Sequence, residues 1–189
     1  MKKIFKKVRL IYKKEKQAYL FLFFGILLLT IFSGWRFHQA KILSFKADLY
    51  GSYNETRKGQ IPVYIKIYPI GVDIKIKEAT IIEGTWQVFP DSLSHLASSA
   101  RIGEGGNIII YGHNKDSILG PIRYIKEEAK IEIKGEDAKL YYYLVTKTDT
   151  VDPDNLSYIL PKNEEVLTLY TCTGFLDTKR FVVVARRLD

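Results

Sequence analysis

The stretch "EVLTLYTCTGFLDTKRFVVVARR", residues 165–187, decides the reading of this chain. It contains two runs whose side chains alternate with period two, the signature of β-strands. In the first run Val166, Thr168, Tyr170 and Cys172 share one face, and Leu167 and Leu169 the other. In the second, Arg180, Val182, Val184 and Arg186 share a face. Between the runs lies "TGFLDTK", residues 173–179, with Gly174 available for a turn. Paired as a hairpin, the last residue of one strand and the first of the next become cross-strand neighbours. Cys172 then stands beside Arg180 at the mouth of the loop.

Working upstream, the same β signals recur. Residues 61–90, "IPVYIKIYPIGVDIKIKEATIIEGTWQVFP", alternate β-branched and aromatic residues with lysines and are broken at Pro69 to Gly71, Gly84 and Pro90. They read as three or four short strands. "NIIIYGHN" (107–114) reads as a buried strand ending in a turn, and "AKIEIKG" (129–135) and "KLYYYLVTKTDT" (139–150) as two more. Between them, Asp91 and Ser92 are expected to cap a brief helix before the Gly-rich loop of "DSLSHLASSARIGEGGN" (91–107). So many short strands in about 130 residues predict an all-β domain, either a closed barrel or a sandwich.

The N-terminal end is different in kind. Eight of the 29 basic residues but only one of the 21 acidic ones fall within the first sixteen positions, leaving 21 against 20 in the rest. The net charge of +8 therefore belongs to a tail, and a body so nearly neutral excludes a general nucleic-acid binder. The tail is followed by nineteen uncharged residues, "QAYLFLFFGILLLTIFSGW" (17–35), which as a helix reach about 28 Å. That suffices for roughly 30 Å of bilayer hydrocarbon. The run is longer than a signal-peptide core and "IFSGWRF" has no A-x-A-like cleavage site, so it reads as an uncleaved anchor. The flanking lysines place the N-terminus in the cytoplasm, and Trp35 and Phe37 suit the outer interface. The expected organisation is a basic cytoplasmic tail (1–16), an anchor (17–35), a juxtamembrane segment and linker (36–60) and an extracytoplasmic domain (61–189). Within 36–60, "FHQAKILSFKADLY" is expected to form a short helix and "GSYNETRKGQ" a linker.

Topology sharpens the meaning of Cys172, the only cysteine. Outside the cytoplasm cysteines usually pair, and this one has no partner in its own chain. It is an inert buried thiol, an intermolecular crosslink or a nucleophile. A guanidinium beside it favours thiolate and offers a donor fork for an oxyanion. A thiol nucleophile wants a base, and the chain has His38, His95 and His113. His113 sits where a strand ends, a place from which a rigid sheet presents a side chain to a cleft. His95 lies in the expected helix and loop, and His38 just past the anchor.

"TLYTC" (168–172), with Arg180 eight residues on and a "GH" (112–113) at the end of an upstream strand, resembles the sortases, membrane-anchored cysteine transpeptidases of Gram-positive and related bacteria. The resemblance runs over roughly residues 61–189 and includes "HLASSARIGEGGNIIIYGHN" (95–114), "RYIKEEAKIEIKG" (123–135) and "LYYYLV" (140–145). It implies an eight-stranded closed β-barrel with short helices. It also implies that Cys172 is the nucleophile, His113 the general acid and base, and Arg180 the residue that steadies the substrate carbonyl or oxyanion. Thr171 and His95 are expected near the substrate groove. The implied reaction cuts an LPxTG-like sorting signal of a surface protein between Thr and Gly, holds the acyl group as a thioester and passes it to an amine such as a peptidoglycan precursor. Two acyl transfers of this kind call for no cofactor, neither ATP nor a metal. Hydrolysis instead of aminolysis would make the chain a cysteine peptidase, and a domain without chemistry a tethered binding module. Asn114 stands where many relatives have arginine, and "TGFLDTKR" is an unusual loop between the Cys and the Arg. The end of the chain at Asp189 without a second apolar segment, and the lack of a lid motif, argue against the pilus-polymerising type. The scattered Glu104, Asp116, Glu127 and Glu128 read as solvated surface rather than a calcium site.

Overall fold

The computed structural model describes residues 16–34, 58–82 and 84–188. The chain divides into two compact units, Met1–Lys41 and Ile42–Asp189. In the first, Lys16–Gly34 is one exposed helix of 19 residues, long and apolar enough to cross a membrane. Trp35, Phe37 and the short helix expected over 37–50 lie outside the described residues.

In the second unit the described residues form ten strands: β1 (Pro62–Ile67), β2 (Val72–Ala79), β3 (Ile81–Ile82), β4 (Thr85–Trp86), β5 (Leu93–Leu96), β6 (Asn107–Gly112), β7 (Lys130–Gly135), β8 (Leu140–Val151), β9 (Val166–Thr173) and β10 (Lys179–Leu188). Eight of them close into a barrel in the order β1-β2-β5-β6-β9-β10-β8-β7, and β3 and β4 make a separate small hairpin. The antiparallel pairing of β1 with β7 closes the ring, so the sequence alternatives resolve to a barrel rather than a sandwich. Residues 61–90 hold four strands, the upper end of the expectation.

Alternation divides the apolar residues into two clusters. One draws from all eight barrel strands, including Ile65, Leu93, Ile108, Ile110, Ile131, Ile133, Tyr143, Leu167, Leu169 and Val183, and fills the interior. The other gathers residues of the opposite parity, Ile109, Tyr111, Tyr170, Cys172 and Val182, with Trp86 and Ile159 from outside the barrel wall. Thus β6 and β9 are buried on both faces, which explains why "NIIIYG" reads as a continuous apolar run.

One expectation is corrected. Asp91 and Ser92 do not cap a helix; the residues after them form β5, parallel to β2 and antiparallel to β6. Leu93 and Leu96 are fully buried, and pairing on both flanks outweighs the local capping signal. Gln60, just before the domain, exchanges backbone hydrogen bonds with Ile102 at 2.8 and 3.0 Å.

The pairing of β6 with β9 decides where chemistry can occur. It is parallel, with Gly112 opposite Thr171, so both strands finish at the same end of the barrel. β10 starts there, and Val151 at the end of β8 pairs with Arg180.

Candidate active site

The hairpin forms in the register the alternation requires, with Arg180 directly opposite Cys172 and Lys179 opposite Thr173. The parallel partner supplies the third group. Tyr111 is opposite Tyr170 and Gly112 opposite Thr171, and His113 directly follows the end of β6, at the end of the barrel where β9 reaches Cys172. The tyrosine rings stack at 5.2 Å with an interplanar angle of 10°, and Trp86 packs edge-on against both. This aromatic cluster lies two residues before His113 and Cys172 along the chain. Its signal in the sequence is the aromatic residue two places before each reactive one, Tyr111 before His113 and Tyr170 before Cys172, a reading that becomes available only once the two strands are known to be neighbours.

Gly112 is needed to bring His113 into place. A Cβ there would come within 2.6 Å of Leu93 Cδ2 and 3.2 Å of Ile118 Cγ2, inside the packed core. Beyond it the His113 carbonyl accepts from the amides of Lys115 (2.9 Å) and Leu119 (3.3 Å), which turns the chain sharply after the histidine.

Burial sets the protonation of the pair. Desolvation pushes the Cys172 thiol up to about 11; the Arg180 guanidinium pulls it down and the Asp177 carboxylate adds to the rise. Arg180 favours the thiolate, as its position implies, but Cys172 is only 5% exposed and desolvation outweighs one neighbouring cation. Desolvation also holds His113 below the ordinary histidine value, with Lys115 acting in the same direction and Asp177 against it. At neutral pH the pair rests as thiol and imidazole, both uncharged.

Arg180 is 1% exposed. Its Nη1 donates to the carbonyls of Asp177 (3.2 Å) and Lys179 (3.1 Å), while Nε is buried without a hydrogen-bond partner. Among the described residues no carboxylate forms an ion pair with it, so the site holds a desolvated positive charge with spare donor capacity. That is the arrangement suited to a negative charge that appears only during a reaction.

The two remaining sequence candidates are placed differently. Thr171 is fully buried on the interior face, where its hydroxyl donates to the Gly112 carbonyl at 2.8 Å, tying β9 to the residue before His113. His95 is in β5, fully buried, with Nε2 at 3.1 Å from the Ala100 carbonyl and 3.4 Å from Ser99 Oγ. It braces the turn after β5, and Ser99 Oγ in turn accepts from the Ile109 amide. Neither side chain presents surface to a ligand.

The barrel and its site have counterparts among known proteins. The Sortase domain model matches residues 65–188. Sortase A of Listeria monocytogenes is 36% identical over 83 residues, which are 42% of this chain and 37% of that protein, so the match spans little more than a third of that relative. Among solved structures, sortase A from Corynebacterium diphtheriae superposes with a TM-score of 0.58 at 22% identity, covering 85% of this chain and 83% of that one. Sortase A of Listeria monocytogenes gives 0.56 at 26% identity, covering 69% and 88%. Sortase C2 of pilus island 1 from Group B Streptococcus gives 0.59 at 21% identity, covering 77% and 87%. A-type and C-type structures fit about equally well, so the barrel carries no information on type. With a family model matching most of its length, a closed eight-stranded barrel, and a TLxTC cysteine flanked by histidine and arginine, the chain belongs to the sortase family.

Proposed function

We propose that this chain is a membrane-anchored cysteine transpeptidase that attaches surface proteins bearing a C-terminal LPxTG-like sorting signal to an amine of the cell envelope. The observation that carries the reading is the convergence of Cys172, His113 and Arg180 from three strands onto one barrel end, with Arg180 buried and in no ion pair among the described residues.

The geometry supports the following course. A sorting peptide binds at this end of the barrel with its threonyl carbonyl against the Cys172 sulfur. The neutral imidazole of His113 takes the thiol proton as sulfur attacks, so the high thiol pKa is met by a base at the same barrel end rather than by a standing thiolate. Arg180 donates to the carbonyl oxygen as it becomes an oxyanion. His113 returns the proton to the departing glycyl nitrogen, leaving a thioester on Cys172. An incoming amine gives a proton to His113, attacks the thioester and releases the thiolate, which is reprotonated. One histidine serves both halves because each half consumes the proton state that the other leaves. The basic flank of helix Lys16–Gly34 supports a cytoplasmic N-terminus with the barrel outside. A peptidoglycan precursor is the acceptor we favour.

The test uses the full chain in detergent or nanodiscs with a library of LPxTG-like peptides. Mass spectrometry is expected to find an acyl adduct on Cys172 that is discharged by added amine and absent in Cys172→Ala. No adduct from any peptide would overturn the reading, and an adduct discharged at a rate indifferent to amine would make the protein a peptidase.

A further inference from the structure

The loop between β9 and β10 holds a residue that is bonded to Arg180 and to the neighbour of His113, and whose charge reaches both His113 and Cys172. Asp177 lies in the turn Phe175–Asp177, where Leu176 (φ 54°) and Asp177 (φ 60°) both adopt the left-handed conformation. For leucine this is costly, about 1–2 kcal/mol, so something must hold the loop in that shape. The bonds are on Asp177 itself. Its Oδ1 accepts from Asn114 Nδ2 at 3.4 Å, and Asn114 directly follows His113. Its main-chain carbonyl accepts from Arg180 Nη1 at 3.2 Å. Its amide donates to the Gly174 carbonyl at 3.2 Å, closing the turn.

We propose that Asp177 is a positioning residue of this site, its carboxylate holding the His113 loop through Asn114 while its carbonyl holds the Arg180 guanidinium, so that one loop residue sets both partners of the Cys172 thiol. The idea rests on the reading of Cys172, His113 and Arg180 as the reacting groups. The carboxylate has a second consequence. When His113 takes the thiol proton, an imidazolium forms in a partly desolvated place, and a nearby negative charge stabilises it. The other charges facing the pair are Lys115 from the loop after β6, which disfavours the imidazolium, and Arg180 from β10, which favours the thiolate. Lys179 is already engaged with Asp152 at 2.6 Å. Asp177 is the carboxylate that acts on both Cys172 and His113.

Asparagine tolerates the left-handed conformation as well as aspartate does and can still accept from Asn114, so Asp177→Asn removes the charge and keeps the clasp. Asp177→Ala removes both. The readout is the pH dependence of Cys172 alkylation by iodoacetamide in the full chain, followed by mass spectrometry. It reports the ionisation of the thiol and imidazole with no sorting peptide present, so it stands even if peptide acylation fails. Because Asp177 raises both groups, Asp177→Asn is expected to move both inflections to lower pH. Asp177→Ala is expected to do the same and, with a peptide that acylates the wild type, to lose roughly tenfold in kcat through the lost clasp. Asp177→Glu is expected to restore the wild-type inflections only in part, because the longer side chain misplaces the charge. Inflections that stay put in Asp177→Asn, or move to higher pH, would overturn the proposal. So would an Asp177→Ala protein that acylates at the wild-type rate.

Discussion

Arg180 and Arg187 lie seven residues apart on β10, at opposite ends of the strand, and they are treated in opposite ways. Arg187 Nη1 stands 3.3 Å from both oxygens of Glu165, and its guanidinium lies over the Tyr141 ring at 5.0 Å. Glu165 in turn accepts from the Tyr143 hydroxyl and the Gly103 amide, each at 2.7 Å. Each of these groups has a partner, and the cluster ties β8, β9, β10 and the Gly-rich loop together. Arg180 is more deeply buried yet bonds only to main-chain carbonyls and leaves Nε unpartnered. Burying a guanidinium without a carboxylate costs stability. The contrast separates an end of the barrel built to be stable from an end built to receive charge.

The largest effect that could break this contrast is in the rate. Arg180→Met keeps the length and apolar body of the side chain and removes the donors. It is expected to lower kcat for acylation by about 10²- to 10³-fold, the loss found when an oxyanion donor is removed, while KM changes little. Its melting temperature is expected to hold or rise, because the uncompensated charge leaves with the side chain. Single-turnover acylation and thermal melts of one preparation check both. A variant that loses stability in step with activity would make Arg180 a structural residue like Arg187.

Protonation extends the same comparison. The stable end holds an ion pair at neutral pH, whereas the reactive end holds an uncharged thiol and imidazole. His113 accepts a proton only when neutral, and its pKa lies below the usual 6.5 because of burial. The acid limb of kcat/KM is therefore expected below pH 6.5, falling about tenfold per unit. The alkaline limb follows the thiol near pH 11. A minority thiolate–imidazolium form would have the same pH dependence, so the prediction does not depend on which form attacks. A pH–rate profile with its acid limb above 7 would mean that an ion pair rests in the site after all.

Much of this contrast is legible in the residues themselves, and the parts that are not have physical reasons. The β9–β10 hairpin, its register and the Cys172–Arg180 pairing follow from period-two alternation around a short loop, which is local information. The β6–β9 pairing is not local, because a parallel neighbour at a separation of about sixty residues leaves no pattern in either strand. His113 was reached through its strand-end position and the family resemblance, and the sheet supplies the reason. β5 was misread because Asp91 and Ser92 carry a genuine capping signal that pairing on two flanks overrides. The thiol's desolvation has no sequence signal, because no string of letters says that Val88, Phe89, Leu156 and Tyr158 pack over the cluster containing Cys172. Asn114 was noticed, but its tie to Asp177 depends on a loop that turns through two left-handed residues.

At the stable end, Glu165→Ala strands the Tyr143 hydroxyl, the Gly103 amide and Arg187 together. With one acceptor serving three donors the expected loss is about 3 kcal/mol, scaled down from a fully buried pair because Arg187 is partly exposed. Denaturant unfolding measures it. Acylation per folded molecule is expected to be unchanged, since this cluster lies at the far end of β9 and β10. A selective loss of rate would show that the two ends are coupled along those strands.

The smallest effect sits where the two roles meet. The Thr171 hydroxyl has no place in the chemistry, but its bond to the Gly112 carbonyl locks β9 to β6 one residue before His113 and Cys172. Thr171→Val keeps the shape and removes that bond, at an expected cost of about 1 kcal/mol. If the bond merely stabilises, the loss appears only in the denaturant midpoint. If it also holds the two strand ends in step, kcat falls as well, by less than about tenfold, because a shift of the imidazole relative to the sulfur weakens a proton transfer that depends on contact. The second outcome is expected. Gly112 is pressed against Leu93 and Ile118, which leaves the hydroxyl as a side-chain tie beside the backbone pairing of the two strand ends. A Thr171→Val protein with both values at wild-type level would show that core packing alone keeps the thiol and imidazole in register.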